Sequence, residues 1–63
     1  MIHMIVESAL GHVLRLVKQG VDFESAFSLA VKASSPADRM PVMLNKEYIQ
    51  EEVTRLMGEN ITT

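Results

Sequence analysis

Residues 1–19 constrain the fold most, because nearly all their apolar side chains fall on one half of an α-helix that Gly20 would end. A helix turns about 100° per residue, so these positions span an arc of roughly 180°. Packing against a single neighbouring helix needs an apolar stripe of only about 100°. This first helix, over about residues 2–19, is therefore predicted to have two neighbours. Its apolar arc consists of Ile2, Ile5, Val6, Ala9, Leu10, Val13, Leu14, Leu16 and Val17.

The second neighbour can come from another copy of the chain or from a compact three-helix core. The chain has 63 residues, and a domain of that size buries only about 60% of the surface that its unfolded form exposes. Small domains are commonly stabilised by disulfides, metals or oligomerisation. Here there is no cysteine, and 48% of the residues are hydrophobic. We therefore expect an oligomer, with a homodimer favoured.

The connection after the first helix has a clear local pattern. Gly20 is typical of the residue that follows a helix end, and Val21 is placed to contact Leu16, as in a Schellman motif. Asp22 is a good N-cap for a second helix, predicted over residues 23–33. The apolar arc of that helix is again wide, roughly 200°. The two helices should pack as an αα-hairpin.

The next segment, residues 34–43, changes in composition. Ser35 before Pro36 predicts an N-cap followed by proline at the first helical position. Pro41 should stop that helix after about one turn. We therefore predict a short turn over residues 36–40, followed by an extended segment over residues 41–43.

A third helix is predicted over residues 46–57. Asn45 is placed to cap it, and Leu44 with Ile49 would form a hydrophobic staple. Gly58 should end this helix. The fold class is thus all-α, a small three-helix domain over residues 1–58 with an extra turn, followed by a frayed tail over residues 59–63.

The charge and hydropathy of the sequence limit which partners and which compartment we expect for the protein. The formal net charge is −2, which disfavours broad binding to nucleic acid or anionic lipid. A membrane span needs about 20 predominantly apolar residues, and Glu7 and His12 interrupt the first apolar stretch. We expect a cytoplasmic protein with no membrane partner.

No pattern of catalytic or metal-binding residues is evident. His3 and His12 would lie about 13 Å apart along one helix, too far to share a metal ion within a chain. Neither histidine has an evident nucleophile and orienting carboxylate beside it. The three glycines form no phosphate-binding loop. We therefore expect no enzyme activity, no cofactor and no metal.

Binding to DNA is the alternative function. Three short helices with a tight turn resemble a helix-turn-helix regulator, in which the last helix would enter the major groove. Three basic residues near the middle loop could form a modest patch, namely Lys32, Arg39 and Lys46. The last helix, however, carries more acidic than basic residues, so nucleic acid remains the less favoured partner.

The segment Leu16-Val17-Lys18-Gln19-Gly20, with Glu24, Ala26 and Ala30 after it, is similar to the first two helices of ubiquitin-associated-type three-helix domains. The resemblance implies a small all-helical fold over about half the chain. The Met-Gly-Phe/Tyr loop of that family is absent, because Gln19-Gly20-Val21 stands in its place. The second connection is also longer, so no binding residue is transferred.

The sequence thus predicts a non-enzymatic protein–protein interaction module, an adaptor, inhibitor or regulator, that uses the apolar faces of the first two helices. Its partner would be a second copy or another protein. The residues expected in the core or the interface, which the sequence cannot divide between the two, are Ile5, Leu10, Val13, Leu14, Val17, Phe23 and Phe27.

Overall fold

A computed structural model describes the backbone of residues 4–62 and the side chains of residues 4–58. Ile2 and His3, which belong to the predicted first helix, and Thr63 lie outside the described residues. The described chain is entirely helical and forms four helices: α1 (Met4–Lys18), α2 (Phe23–Ala33), α3 (Pro36–Leu44) and α4 (Lys46–Thr62). The all-α prediction is confirmed, but the described part contains four helices where three and a turn were expected.

The connection between α1 and α2 has the predicted geometry. Gly20 has a φ of 100°, in the region that glycine adopts without steric cost. Its N–H donates to the Val17 carbonyl at 3.0 Å, and the Val21 N–H donates to the Leu16 carbonyl at 3.0 Å. These two hydrogen bonds define a Schellman motif. They satisfy two carbonyls that the end of α1 would otherwise leave unpaired.

Asp22 caps α2 as predicted. Its carboxylate accepts a hydrogen bond from the Ser25 N–H at 3.0 Å. That bond favours the charged carboxylate and lowers the pKa of Asp22. The start of α2 is therefore fixed by a local, charge-assisted contact.

The predicted stop at Pro41 is wrong, because α3 continues through it to Leu44. A proline inside a helix removes one hydrogen bond and crowds the preceding turn, at a cost of about 3 kcal/mol. Continuing the helix places Val42 in the core with no exposed surface, and burying such a side chain contributes about 1.5–3 kcal/mol. Asn45 also donates its side-chain amide to the Pro41 carbonyl at 2.8 Å. Tertiary packing and this capping bond offset the proline.

At the start of α4, the side chains of Asn45 and Leu44 do not make the predicted contacts. Asn45 caps the end of α3 with its amide, while its backbone carbonyl accepts the first hydrogen bond of α4 from Ile49 at 3.0 Å. Leu44 is 75% exposed and Ile49 is fully buried, so the expected hydrophobic staple is not formed. One residue therefore joins α3 directly to α4.

The predicted end of the last helix at Gly58 is also wrong, because α4 runs to Thr62. A helix-ending glycine usually adopts a positive φ, and among the described residues only Gly20 does so. Gly58 instead lies inside the helix, where glycine costs about 1 kcal/mol relative to alanine.

The core explains the wide apolar arc of α1. This helix contacts each of the other three. The helices α3 and α4 therefore pack against the part of its apolar arc that α2 does not cover. A single chain therefore supplies three neighbours of α1, where the sequence had led us to expect two, one of them from a second copy or from a compact core. The buried residues are Val6, Ala9, Leu10, Val13, Ala26, Phe27, Ala30, Val42, Ile49 and Val53.

Candidate functional site: the exposed apolar face of α3

The structure places the seven residues expected in the core or interface on the inside of the chain. Three of them are buried and belong to the core, namely Leu10, Val13 and Phe27. The other four are half-buried and pack against that core, namely Ile5, Leu14, Val17 and Phe23. They form the centre and the margin of one hydrophobic core.

The first residue of α4, Lys46, lies over the ring of Phe27, which stacks with Phe23. The rings of Phe23 and Phe27 stack with centroids 5.7 Å apart. The Lys46 ammonium lies 5.5 Å from the Phe27 centroid and 2.8 Å from a carboxylate oxygen of Glu24. This contact combines a cation–π interaction with a surface ion pair. It closes the core at the start of α2.

The three basic residues predicted as a patch are spread along α2. The Arg39 guanidinium donates to the Lys32 and Ser34 carbonyls at 3.3 Å each, where it satisfies the end of α2. Lys46 pairs with Glu24 at the opposite end of that helix. Glu24 and Lys32 are eight residues apart, so about 12 Å separates the two ends. The Arg39 and Lys46 side chains are engaged within the chain at different places.

The most exposed large apolar side chains that share one helix lie on α3. Met40 is 63% exposed, Met43 is 56% exposed and Leu44 is 75% exposed. Residues three and four apart share one side of a helix, and Val42, which points into the core, lies on the other side. These three residues, called the α3 face below, form one outward apolar surface. The other large exposed apolar side chains among the described residues, Met4 and Leu29, lie on α1 and α2.

The chemistry of the α3 face suits contact with another apolar surface. Methionine is unbranched and polarizable, so it adapts to partners of different shape. Apolar side chains that cluster on a protein surface commonly mark interaction sites. The sequence did not predict this surface, because the helix was expected to end at Met40. The signal was nevertheless there, in the spacing of Met40, Met43 and Leu44 around an apolar Val42.

Polar contacts elsewhere join helices or lie on their outer sides. The Tyr48 hydroxyl donates to the Glu7 carboxylate at 2.9 Å, which joins α4 to α1 and raises the pKa of Tyr48. Arg55 pairs with Glu52 at 2.8 Å on the outside of α4 and lowers the pKa of that carboxyl. Within residues 4–58, no three His, Cys, Asp or Glu side chains are arranged to hold a metal ion. No helix in the described part is long and apolar enough to span a membrane.

Comparisons with protein-family models, with curated proteins and with solved structures give no match.

Proposed function

We propose that the protein is a small non-enzymatic protein–protein interaction module that docks through the α3 face. The observation that supports this proposal is the placement of Met40, Met43 and Leu44 on the outside of one short helix. The cost of exposing these side chains to water is removed when another apolar surface covers them. A role as an adaptor, inhibitor or regulator in the cytoplasm, as the sequence led us to expect, fits such a surface.

The occupant that we propose for the α3 face is a second copy of the chain. A two-fold dimer pairs the same surface on both subunits, so both apolar faces are covered at once. A standard interface buries about 800 Å² on each partner, and a face built around three side chains is smaller than that. The dimer should therefore be weak and should depend on concentration. It uses α3, whereas the sequence led us to expect the interface on the first two helices.

We do not propose the DNA-binding alternative, because no observation favours it. Phosphate contacts from Lys and Arg dominate the affinity for DNA. The outward side of α3 carries methionine and leucine, and both Arg39 and Lys46 are held in contacts with α2.

Sedimentation equilibrium over micromolar to millimolar concentrations tests the proposal with a matched pair of variants. Leu44→Glu places a charge on the α3 face, whereas Leu29→Glu makes the same change at an exposed position on α2. Burying an unpaired carboxylate in an interface is costly. Leu44→Glu should therefore raise the dissociation constant of the dimer by about tenfold or more. The second should leave the dimer unchanged.

Far-UV circular dichroism of both variants shows whether the helices are retained. A wild-type protein that stays monomeric at millimolar concentration would rule out the second copy as the occupant. Equal weakening by both variants would rule out the α3 face as the contact.

A further inference from the structure

A cleft of about 520 Å³ separates α1 from the end of α2 and the start of α3. This volume lies in the range of small-molecule sites, roughly 300–1,000 Å³. The buried Ala9 and Ala30 lie at its base, and the small side chain of Ala33 lines it as well. Gly11 lies on the α1 wall, and a Cβ atom added there would have no neighbour within 4 Å. Small residues from α1 and α2 therefore form part of the cleft lining.

Two opposite charges line the cleft from different helices. Arg15 lies on the α1 wall, and Asp38 lies in the first turn of α3. The side chain of neither residue forms an ion pair or hydrogen bond with another described residue. Elsewhere on the surface, Lys46 and Arg55 reach their carboxylate partners at 2.8 Å. Arg15 and Asp38 therefore line the same cleft but do not pair with each other across it.

We propose that this cleft binds a small dipolar molecule that carries a carboxylate and an ammonium group, as free amino acids and short peptides do. The carboxylate would contact the Arg15 guanidinium, whose N–H donors match both carboxylate oxygens. The ammonium would contact the Asp38 carboxylate, an acceptor for its donors. A simple anion or cation is disfavoured, because it would meet a charge of its own sign on one wall.

Further polar groups line the cleft. Ser8 and His12 lie on α1, four residues apart and therefore on one side of that helix. Ser34 and Ser35 lie opposite them, at the end of α2 and in the connection to α3. The Ser34 hydroxyl already donates to the Ala30 carbonyl at 3.0 Å, so it can only accept a hydrogen bond from a ligand. The hydroxyls of Ser8 and Ser35 can donate or accept along the body of a dipolar ligand. The site is separate from the α3 face and does not depend on the proposed dimer.

NMR titration of the wild-type chain with β-alanine, γ-aminobutyrate and ε-aminocaproate measures which separation of the two charges fits the cleft. Triglycine tests whether a peptide backbone is preferred to a plain methylene chain. Caproate and hexylamine each carry one of the two charges and serve as controls. At least one dipolar probe should bind in the millimolar range and about fivefold more tightly than either single-charge control.

Three variants test the roles of the two walls. Arg15→Gln and Asp38→Asn should each lower the affinity for the dipolar probe that the wild type binds most tightly, by about two- to fivefold. Lys18→Gln removes a cation from the same helix outside the cleft and should change nothing. All three positions lie outside the buried core, so the helices should be retained. The proposal is wrong if no probe gives a saturable shift, if caproate binds as tightly as the dipolar probes, or if Lys18→Gln weakens binding as much as Arg15→Gln.

Discussion

Two glycine-to-alanine substitutions should change stability in opposite directions, although neither new methyl group would touch anything. A Cβ atom added at Gly11 or at Gly20 would have no neighbour within 4 Å, so packing contributes nothing at either position. Only the backbone conformation differs between them. Gly11 is in the middle of α1 without a positive φ, whereas Gly20 has a φ of 100°.

The magnitudes follow from those conformations. Alanine in a helix interior is more stable than glycine by about 0.5–1 kcal/mol, so Gly11→Ala should stabilise the fold by that amount. An L-residue with a left-handed backbone costs roughly 1–2 kcal/mol, so Gly20→Ala should destabilise it by that amount. The two variants should therefore differ by about 2 kcal/mol in free energy of unfolding. For a domain of this size, 1 kcal/mol shifts the Tm by about 4–8 °C.

Urea and thermal unfolding, followed by far-UV circular dichroism, measure both effects. The concentration must be low and the same for every variant, because a dimer would add its own stabilisation. Gly58→Ala is a matched control, since Gly58 is also inside a helix with open space around it, and it should behave like Gly11→Ala. A neutral or stabilising Gly20→Ala would refute the Schellman ending. A destabilising Gly11→Ala would refute the open helical environment described for that residue.

Two further predictions concern α3 and the cap of α2. Pro41→Ala restores a helical hydrogen bond and removes a clash, together worth about 3 kcal/mol. A more flexible unfolded chain partly offsets this gain, so the substitution should stabilise the fold by about 1–2 kcal/mol. A loss of stability in urea unfolding would mean that the segment is not helical. The pKa of Asp22 is lowered in the folded state, so its contribution is present above its usual pKa and is lost as the pH falls through the folded value. Asp22→Asn keeps a capping oxygen but cannot titrate, and its acid unfolding curve should lack that part of the pH dependence; a curve identical to that of the wild type would contradict the assignment.

The connection between α1 and α2 was predictable from neighbouring residues alone, whereas the predicted staple at Leu44 and helix end at Gly58 were wrong. Gly20 ended α1 and Asp22 began α2 as expected, because a left-handed backbone and an N-cap depend on residues within one turn. The all-helical class followed equally well from the spacing of apolar residues. The sequence also identified Leu10, Val13 and Phe27 as core or interface residues, and the structure places them in the core.

The sequence did not reveal which apolar surfaces would remain exposed. Pro41 argued against a helix on local grounds, and the burial of Val42 among the other helices, with the capping bond from Asn45, accounts for α3 continuing past it. That extra helix also gives α1 a neighbour within its own chain, and it carries exposed apolar side chains on its outer side. The cleft lined by Arg15 and Asp38 has the same origin, since these residues are 23 positions apart in sequence and share a space only once α3 packs beside α1. Caps and turns depend on adjacent residues, whereas exposure depends on which helices meet, and that is decided by the packing of the whole chain.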